Sequence, residues 1–194
     1  FKCRTRKLWY KVPSVHTAPI AMLKRAHHYP RLVLNSADAY TTDTAYRIIP
    51  LGIKPEALVL GFVNSLTCLT AEMEGRHYGG GVLELVPSEI ERLLVPLITV
   101  TATELSAADK RYRNAINDSE FLLMQDALVL GKIGLTKSEQ ETLHCAWIKL
   151  RNRRHRIPSI VNVEASVELS EQFECSHLHD LNQIASSSLS CFVK

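Results

Sequence analysis

The feature that most constrains the fold is a long run of apolar, helix-forming residues at 57–73 with clear signals at both ends. Pro55 precedes the run, and the fixed φ of proline suits the first turn of a helix. Gly75 follows it, at the position where helices commonly end. Apolar side chains cover most faces of the run, which predicts a buried central helix. The remaining elements must then pack around this helix.

A basic and aromatic segment follows the predicted helix directly. Arg76, His77 and Tyr78 lead into three glycines at 79–81, and a short strand is predicted over 81–86. Consecutive glycines supply positive φ angles for a tight entry into a strand. They also allow backbone amides to approach a phosphate. Both roles stay open at this stage, and they are compatible.

Short strands are predicted before the central helix and further helices after it. Residues 6–12, 31–35 and 46–50 combine strand-forming side chains with flanking turn signals. Two capping boxes of the Ser/Thr-x-x-Glu type, at 88–91 and 136–139, predict helix starts. The first helix is predicted to end near Val95, and the second to run to about Arg154.

Helices over 104–114 and 119–133 are predicted to fill the interval between these two. The fold class is therefore α+β, with a small mixed or antiparallel sheet in the N-terminal half packed on a long buried helix. A helical C-terminal half follows. We expect an α+β core at 1–100, a helical subdomain at 101–156 and a peripheral extension at 157–194.

The distribution of charge is more informative than the net charge of +3. Residues 1–37 hold eight Lys and Arg residues and no acidic residue, and residues 149–156 hold five more, again without an acid. Two basic segments would form a surface for a polyanion if folding brings them together. A soluble domain with solvated charges is the alternative that composition leaves open.

Composition limits the class of protein in other ways. A hydrophobic content of 46% in 194 residues is enough for one sizeable core. No apolar run is long enough to span a bilayer. The five cysteines are scattered without a Cys-x-x-Cys spacing, which favours a reduced, cytoplasmic protein. Because residue 1 is Phe, we expect the chain to be part of a longer polypeptide.

The basic N-terminal segment at 2–13 interleaves five cations with Trp9 and Tyr10. Lys and Arg side chains pair with phosphates, and Arg also binds guanine edges through two hydrogen bonds. Trp9 has two possible roles, since it would either pack into the core from an edge strand or stack on a base.

Several segments, taken in order, resemble the target-recognition region of adenine-specific (N6) DNA methyltransferases from bacterial type II restriction–modification systems. The resemblance covers about residues 1–156 and implies a domain that binds double-stranded DNA. It also implies a catalytic domain in cis, upstream, that binds S-adenosylmethionine and flips adenine out of the duplex. The segments are 4–13, 32–35, 41–48, 62–66, 74–96, 123–130, 134–136 and 146–154.

The chemistry of such an enzyme has no motif in this chain. There is no Pro-Pro dipeptide, so the Asn-Pro-Pro-Tyr type of loop that holds an extruded adenine is absent. The glycines at 79–81 precede a strand, the reverse of a nucleotide-binding strand–loop–helix. We therefore expect no catalytic residue and no cofactor site here, with S-adenosylmethionine required by the full-length enzyme.

No metal and no membrane partner are expected either. Cys175, His177 and His179 are ligand types, but their spacing fits no common structural zinc site.

We expect DNA contacts from basic and aromatic side chains in three segments, with polar residues at 36–46 and 76–81 helping to read bases. The arginines at 151–156 have a second possible role, as a clamp against the acidic residues of 157–194. A protein-interaction scaffold is the alternative function; an RNA-binding module lacks its usual motifs. The candidates are Arg4, Arg6, Lys7, Lys11, Arg76, His77, Tyr78, Arg151, Arg153 and Arg154.

Overall fold

A computed structural model describes residues 4, 7, 8, 10, 16–115 and 117–157 of the chain. Within them the fold is α+β as predicted, with two small antiparallel sheets in the N-terminal half and helices in the C-terminal half. The predicted extension at 157–194 lies almost wholly outside the described residues. So does most of the predicted strand at 6–12, of which Lys7, Leu8 and Tyr10 lie in bends and turns.

Each sheet has three short antiparallel strands. The first sheet has the order β3-β1-β4, and the second has the order β2-β6-β5. Strands β1 and β2 are separated by a single residue, so one segment of chain contributes to both sheets. The strands are β1 (Ile20–Leu23), β2 (Arg25–Ala26), β3 (Leu32–Leu34), β4 (Ala45–Ile48), β5 (Arg76–Tyr78) and β6 (Val82–Glu84).

The helices lie in the middle of the chain and fill most of residues 102–155. A single turn of 3-10 helix, Gly79–Gly81, joins β5 to β6. Among the described residues, no helix is long and apolar enough to cross a membrane. The helices are α1 (Pro55–Phe62), α2 (Ser65–Glu74), α3 (Pro87–Ile90), α4 (Ala102–Asn114), α5 (Asp118–Lys132) and α6 (Lys137–His155).

The prediction of one central helix over 57–73 was wrong, because the run is divided into α1 and α2. Asn64 causes the division: its side-chain oxygen accepts from the Thr67 amide at 3.0 Å and caps the start of α2. Its amide nitrogen donates to the Gly61 carbonyl at 2.7 Å, at the end of α1. Asn64 is fully buried, so these local bonds satisfy a polar side chain that the core would otherwise penalise.

The capping box at 136–139 is confirmed, whereas the one predicted at 88–91 was wrong. Pro87 takes the first helical position of α3, so the helix begins before Ser88. The carboxylate that reaches back to the start is therefore Glu89, which accepts from the Val86 amide at 2.8 Å. Helix α3 ends at Ile90 rather than near Val95.

Buried apolar clusters connect the two halves of the chain. Ile20 and Met22 of β1 pack with Leu58 and Phe62 of α1 beneath the first sheet. Trp147 of α6 is fully buried in a second cluster with residues of α2 and α5. Helices α4 to α6 thus pack directly on α1 and α2, while the predicted boundary at residue 100 stays a prediction.

Candidate nucleic-acid interface

A buried ion pair joins the end of α6 to α2. The Arg154 guanidinium donates to both carboxylate oxygens of Glu72, from Nε at 2.9 Å and from Nη2 at 2.6 Å. It also donates to the carbonyls of His27 at 2.6 Å, His28 at 2.9 Å and Gly81. A guanidinium has five N–H donors, and five acceptors surround this one. We call Arg154 with these four partners the arginine node.

The arginine node removes Arg154 from the predicted DNA contacts. Arg154 is 6% exposed and Glu72 is 3% exposed, so neither charge is available to a phosphate. The physical reason is that a buried carboxylate must be paired and hydrogen-bonded, and Arg154 satisfies both needs. The alternative role of these arginines, an intramolecular clamp, applies to Arg154. The acid is Glu72 of α2, however, and the acids of 157–194 lie outside the described residues.

The node brings distant segments of the chain together at one place. The His155 ring lies 4.5 Å from the His27 ring, and its Nε2 lies 2.9 Å from the His27 carbonyl oxygen. Gly81 has φ of 75°, and a Cβ there would lie 2.6 Å from His155 Nδ1, so this position requires glycine. The basic end of α6 therefore lies beside residues 27–28 and the glycine turn.

The second sheet presents a charged surface beside this junction. Arg25, Glu84 and Arg76 lie directly opposite one another across β2, β6 and β5. The Arg25 Nε donates to Glu84 at 2.7 Å, and the Arg76 Nε donates to Glu89 of α3 at 2.8 Å. Tyr78 shares this side of β5 with Arg76, and its ring centroid lies 5.8 Å from Arg25. We call these five side chains the outer sheet face.

Exposure on the outer sheet face differs sharply between the two signs of charge. The Arg25 and Arg76 side chains are 69% and 56% exposed, whereas those of Glu84 and Glu89 are 16% and 8% exposed. Hydrogen bonding to the carboxylates raises the pKa of both arginines. The acids therefore lie beneath the arginines, which remain accessible to a ligand.

The other predicted contacts fall into three groups. His77 lies on the opposite side of β5, with Nε2 3.1 Å from the Glu72 carbonyl oxygen, although its side chain is 44% exposed. Arg151 is half-buried over the Trp147 ring at 4.8 Å, while Arg153 is exposed. Arg4 and Lys7 are also exposed, and Arg6 and Lys11 lie outside the described residues.

Sequence reasoning did not select Arg25 as a site residue. Arg25 was one of many cations in residues 1–37, and no local signal separates it from its neighbours. Its importance depends on pairing between β2 and β6, which joins residues far apart in the chain. A two-residue strand has too few positions to show any periodicity.

A second buried polar cluster was also missed. Asp126 of α5 accepts from the backbone amide and the hydroxyl of Ser65, at 2.6 and 2.5 Å. The Ser65 hydroxyl lies 2.9 Å from His144 Nδ1, and His144 Nε2 lies 2.8 Å from the Ser119 hydroxyl. Burial raises the pKa of Asp126 to about 6 and lowers that of His144. All three helices α2, α5 and α6 meet in this cluster.

This cluster is structural despite containing Ser, His and Asp. In a catalytic triad the carboxylate orients the imidazole, whereas Asp126 binds the serine instead. Ser65 is 0% exposed, which leaves no access for a substrate. In addition, no group of three or more His, Cys, Asp or Glu side chains within the described part of the chain is arranged to hold a metal ion.

Comparison with known proteins identifies the family. Residues 1–130 match the family described as "Type II methyltransferase M.Eco57I, C-terminal domain", and the chain belongs to this family. The Type II methyltransferase M.XamI of Xanthomonas campestris pv. amaranthicola is 35% identical over 95 residues. That match covers 47% of this chain and 17% of the relative. No solved structure matches.

The resemblance to a restriction–modification methyltransferase is confirmed at this level. Its adenine specificity stays a prediction.

Proposed function

We propose that this chain is the DNA target-recognition domain of a site-specific adenine-N6 DNA methyltransferase. It binds duplex DNA and positions the target for a catalytic domain in cis. Membership of a type II methyltransferase C-terminal family supports this proposal. The observation that carries it is the arginine node, which holds the basic end of α6 against residues 27–28 and the turn at 79–81.

The junction has the elements that a DNA surface needs. Arg25 and Arg76 project from the second sheet, and Arg153 and Arg156 are exposed at the end of α6. Exposed arginines such as Arg153 and Arg156 neutralise phosphates, and antiparallel β-ribbons enter the major groove. Arg154 contributes indirectly, because its bonds to the His27, His28 and Gly81 carbonyls hold α6 against both neighbouring segments.

The methyl-transfer chemistry is assigned to residues outside this chain. S-adenosylmethionine would supply the methyl group to the catalytic domain, and no side chain described here is assigned to that step. The proposal requires no metal in this domain, and it places the enzyme in the cytoplasm, where its DNA substrate lies.

Salt-dependent binding tests the proposal. Fluorescence anisotropy with a labelled duplex should show affinity falling with salt, with a log–log slope of roughly −5 if about six phosphates are neutralised. Arg153→Ala/Arg156→Ala should flatten the slope by about one to two units. Lys137→Ala is the matched control, since Lys137 is exposed at the other end of α6. A slope near zero would favour the scaffold alternative.

A further inference from the structure

We propose that Arg25 and Arg76 read guanine bases in the major groove, each oriented by its own carboxylate. This inference rests on the proposed duplex binding and specifies which bases the outer sheet face recognises. It assigns Arg25 and Arg76 as specificity-determining residues, and Glu84 and Glu89 as the residues that position them.

Each arginine is held by a carboxylate at one atom of its guanidinium group. Both carboxylates bind the guanidinium at Nε, at 2.7 Å for Arg25 and 2.8 Å for Arg76. Guanine recognition uses two parallel N–H donors of an arginine against O6 and N7. A carboxylate at Nε fixes the guanidinium plane without using the terminal nitrogens. The arginine is thereby preorganised at a low entropic cost for a bidentate contact.

The groups that hold the two arginines are themselves fixed by the fold. Glu89 also accepts from the Val86 amide at the start of α3, and its side chain is only 8% exposed. Glu84 belongs to β6, the central strand of the sheet. Tyr78 lies beside both arginines, because its ring centroid is 5.8 Å from Arg25 and it shares one side of β5 with Arg76. The two guanidinium groups are therefore attached to one fixed array.

Positive and negative charges are balanced on the outer sheet face. Two arginines and two carboxylates make the outer sheet face nearly neutral, so it offers little attraction to phosphates. Hydrogen bonds to the neutral acceptors of a base edge do not require a net positive charge on the protein surface. Arg153 and Arg156 are exposed, and no ion pair among the described residues includes either of them. This is the arrangement expected of phosphate contacts. The molecule thus has two kinds of exposed arginine: those paired with a carboxylate on the outer sheet face, and those without such a pair at the end of α6.

The spacing of the two arginines predicts the spacing of the bases. Arg25 and Arg76 lie opposite Glu84 on its two sides, so two inter-strand distances separate their backbones. At roughly 4.8 Å per strand, this is roughly 10 Å. Stacked bases rise by about 3.4 Å along one strand. Two guanines about three base pairs apart therefore match the array.

Selection from duplexes with a randomised centre tests this inference on the full chain. Sequencing of the bound fraction should show guanine enrichment at two positions about three base pairs apart. Arg25→Lys and Arg76→Lys keep the charge but lose the fork, so each should reduce discrimination at one position by roughly 5- to 150-fold.

Glu84→Gln separates base recognition from a phosphate contact. If Glu84 orients Arg25 toward a base, discrimination at that position falls. Arg113→Lys is the matched control for the two lysine substitutions. The Arg113 Nε also binds a carboxylate at 2.8 Å, on the exposed surface of α4, and this substitution should leave the selected sequence unchanged.

Three results would overturn the inference while leaving duplex binding intact. They are a bound fraction without guanine enrichment, an enrichment that both lysine variants preserve, and a Glu84→Gln variant that binds every sequence more tightly. A chain that binds no duplex at any salt concentration would overturn the proposed function as well.

Discussion

The arginine node and the outer sheet face use the same ion pair in opposite environments. Arg154 and Glu72 are both buried, and the five donors of Arg154 all have acceptors inside the protein. Arg76 has one carboxylate partner and a side chain that is 56% exposed. A buried pair cannot lose one member without leaving an unpaired charge, whereas an exposed pair can exchange its partner for water or DNA. A buried arginine such as Arg154 therefore stabilises the fold, whereas an exposed arginine such as Arg76 is available to a ligand.

The largest effect is expected at the node. Arg154→Ala removes the guanidinium partner of the buried Glu72 carboxylate and one donor to each of three carbonyls, so the free energy of unfolding should fall by about 3–5 kcal/mol. Arg153→Ala is the matched control at the adjacent exposed position and should change it by less than about 0.5 kcal/mol. Urea denaturation measures both. Equal effects of the two substitutions would contradict the distinction between buried and exposed arginines.

A smaller, pH-dependent effect is expected at the other buried cluster. The pKa of Asp126 is about 6 in the folded protein and lies above its ordinary value of 3.8. The folded state therefore binds more protons than the unfolded state between these values, and stability should fall as pH rises from about 4 to 6. The shift corresponds to about 2–3 kcal/mol at most.

Asp126→Asn isolates this contribution, because its side-chain oxygen can still accept from the Ser65 amide. His144, whose pKa is lowered, acts in the opposite direction and is present in both proteins. Denaturation of the two proteins at several pH values should show a fall between pH 4 and 6 that the variant lacks. Parallel pH profiles would mean that Asp126 titrates normally.

The smallest effect on stability is expected on the outer sheet face. Arg25→Ala removes an exposed pair with Glu84, so the free energy of unfolding should change by about 0.2–1 kcal/mol. Arg113→Ala is the matched control, since its pair with Asp109 is also exposed. A loss as large as that of Arg154→Ala would show that the outer sheet face is structural, and the comparison would fail.

Helices were predicted from sequence more successfully than strands. The helix predicted from Thr136 begins at Lys137 and ends at His155, because Thr136 and Glu139 satisfy each other's backbone amides within one turn. Strands β1, β2 and β5 were not predicted. They have two to four residues and depend on pairing with distant segments, so they carry little local signal.

Residues of the candidate interface show the same difference between features set by local sequence and features set by distant contacts. Arg76 and Tyr78 were predicted to contact DNA, and the structure exposes both on one side of β5. Arg25 was not selected, because its neighbour Glu84 is 59 residues away in the chain. The break at Asn64 was missed because apolar residues continue on both sides of it and outweigh one polar side chain in any periodic pattern.

Short-range rules therefore account for the helix boundaries, the capping box at Thr136 and the concentration of cations in a few segments. These features depend on residues that are neighbours along the chain. Arg153 and Arg154 are also neighbours, and no local pattern distinguishes them. Folding buries Arg154 against Glu72, 82 residues away, and leaves Arg153 exposed. The role of each arginine depends on its desolvation and on the acceptors around it, and both are properties of the folded chain.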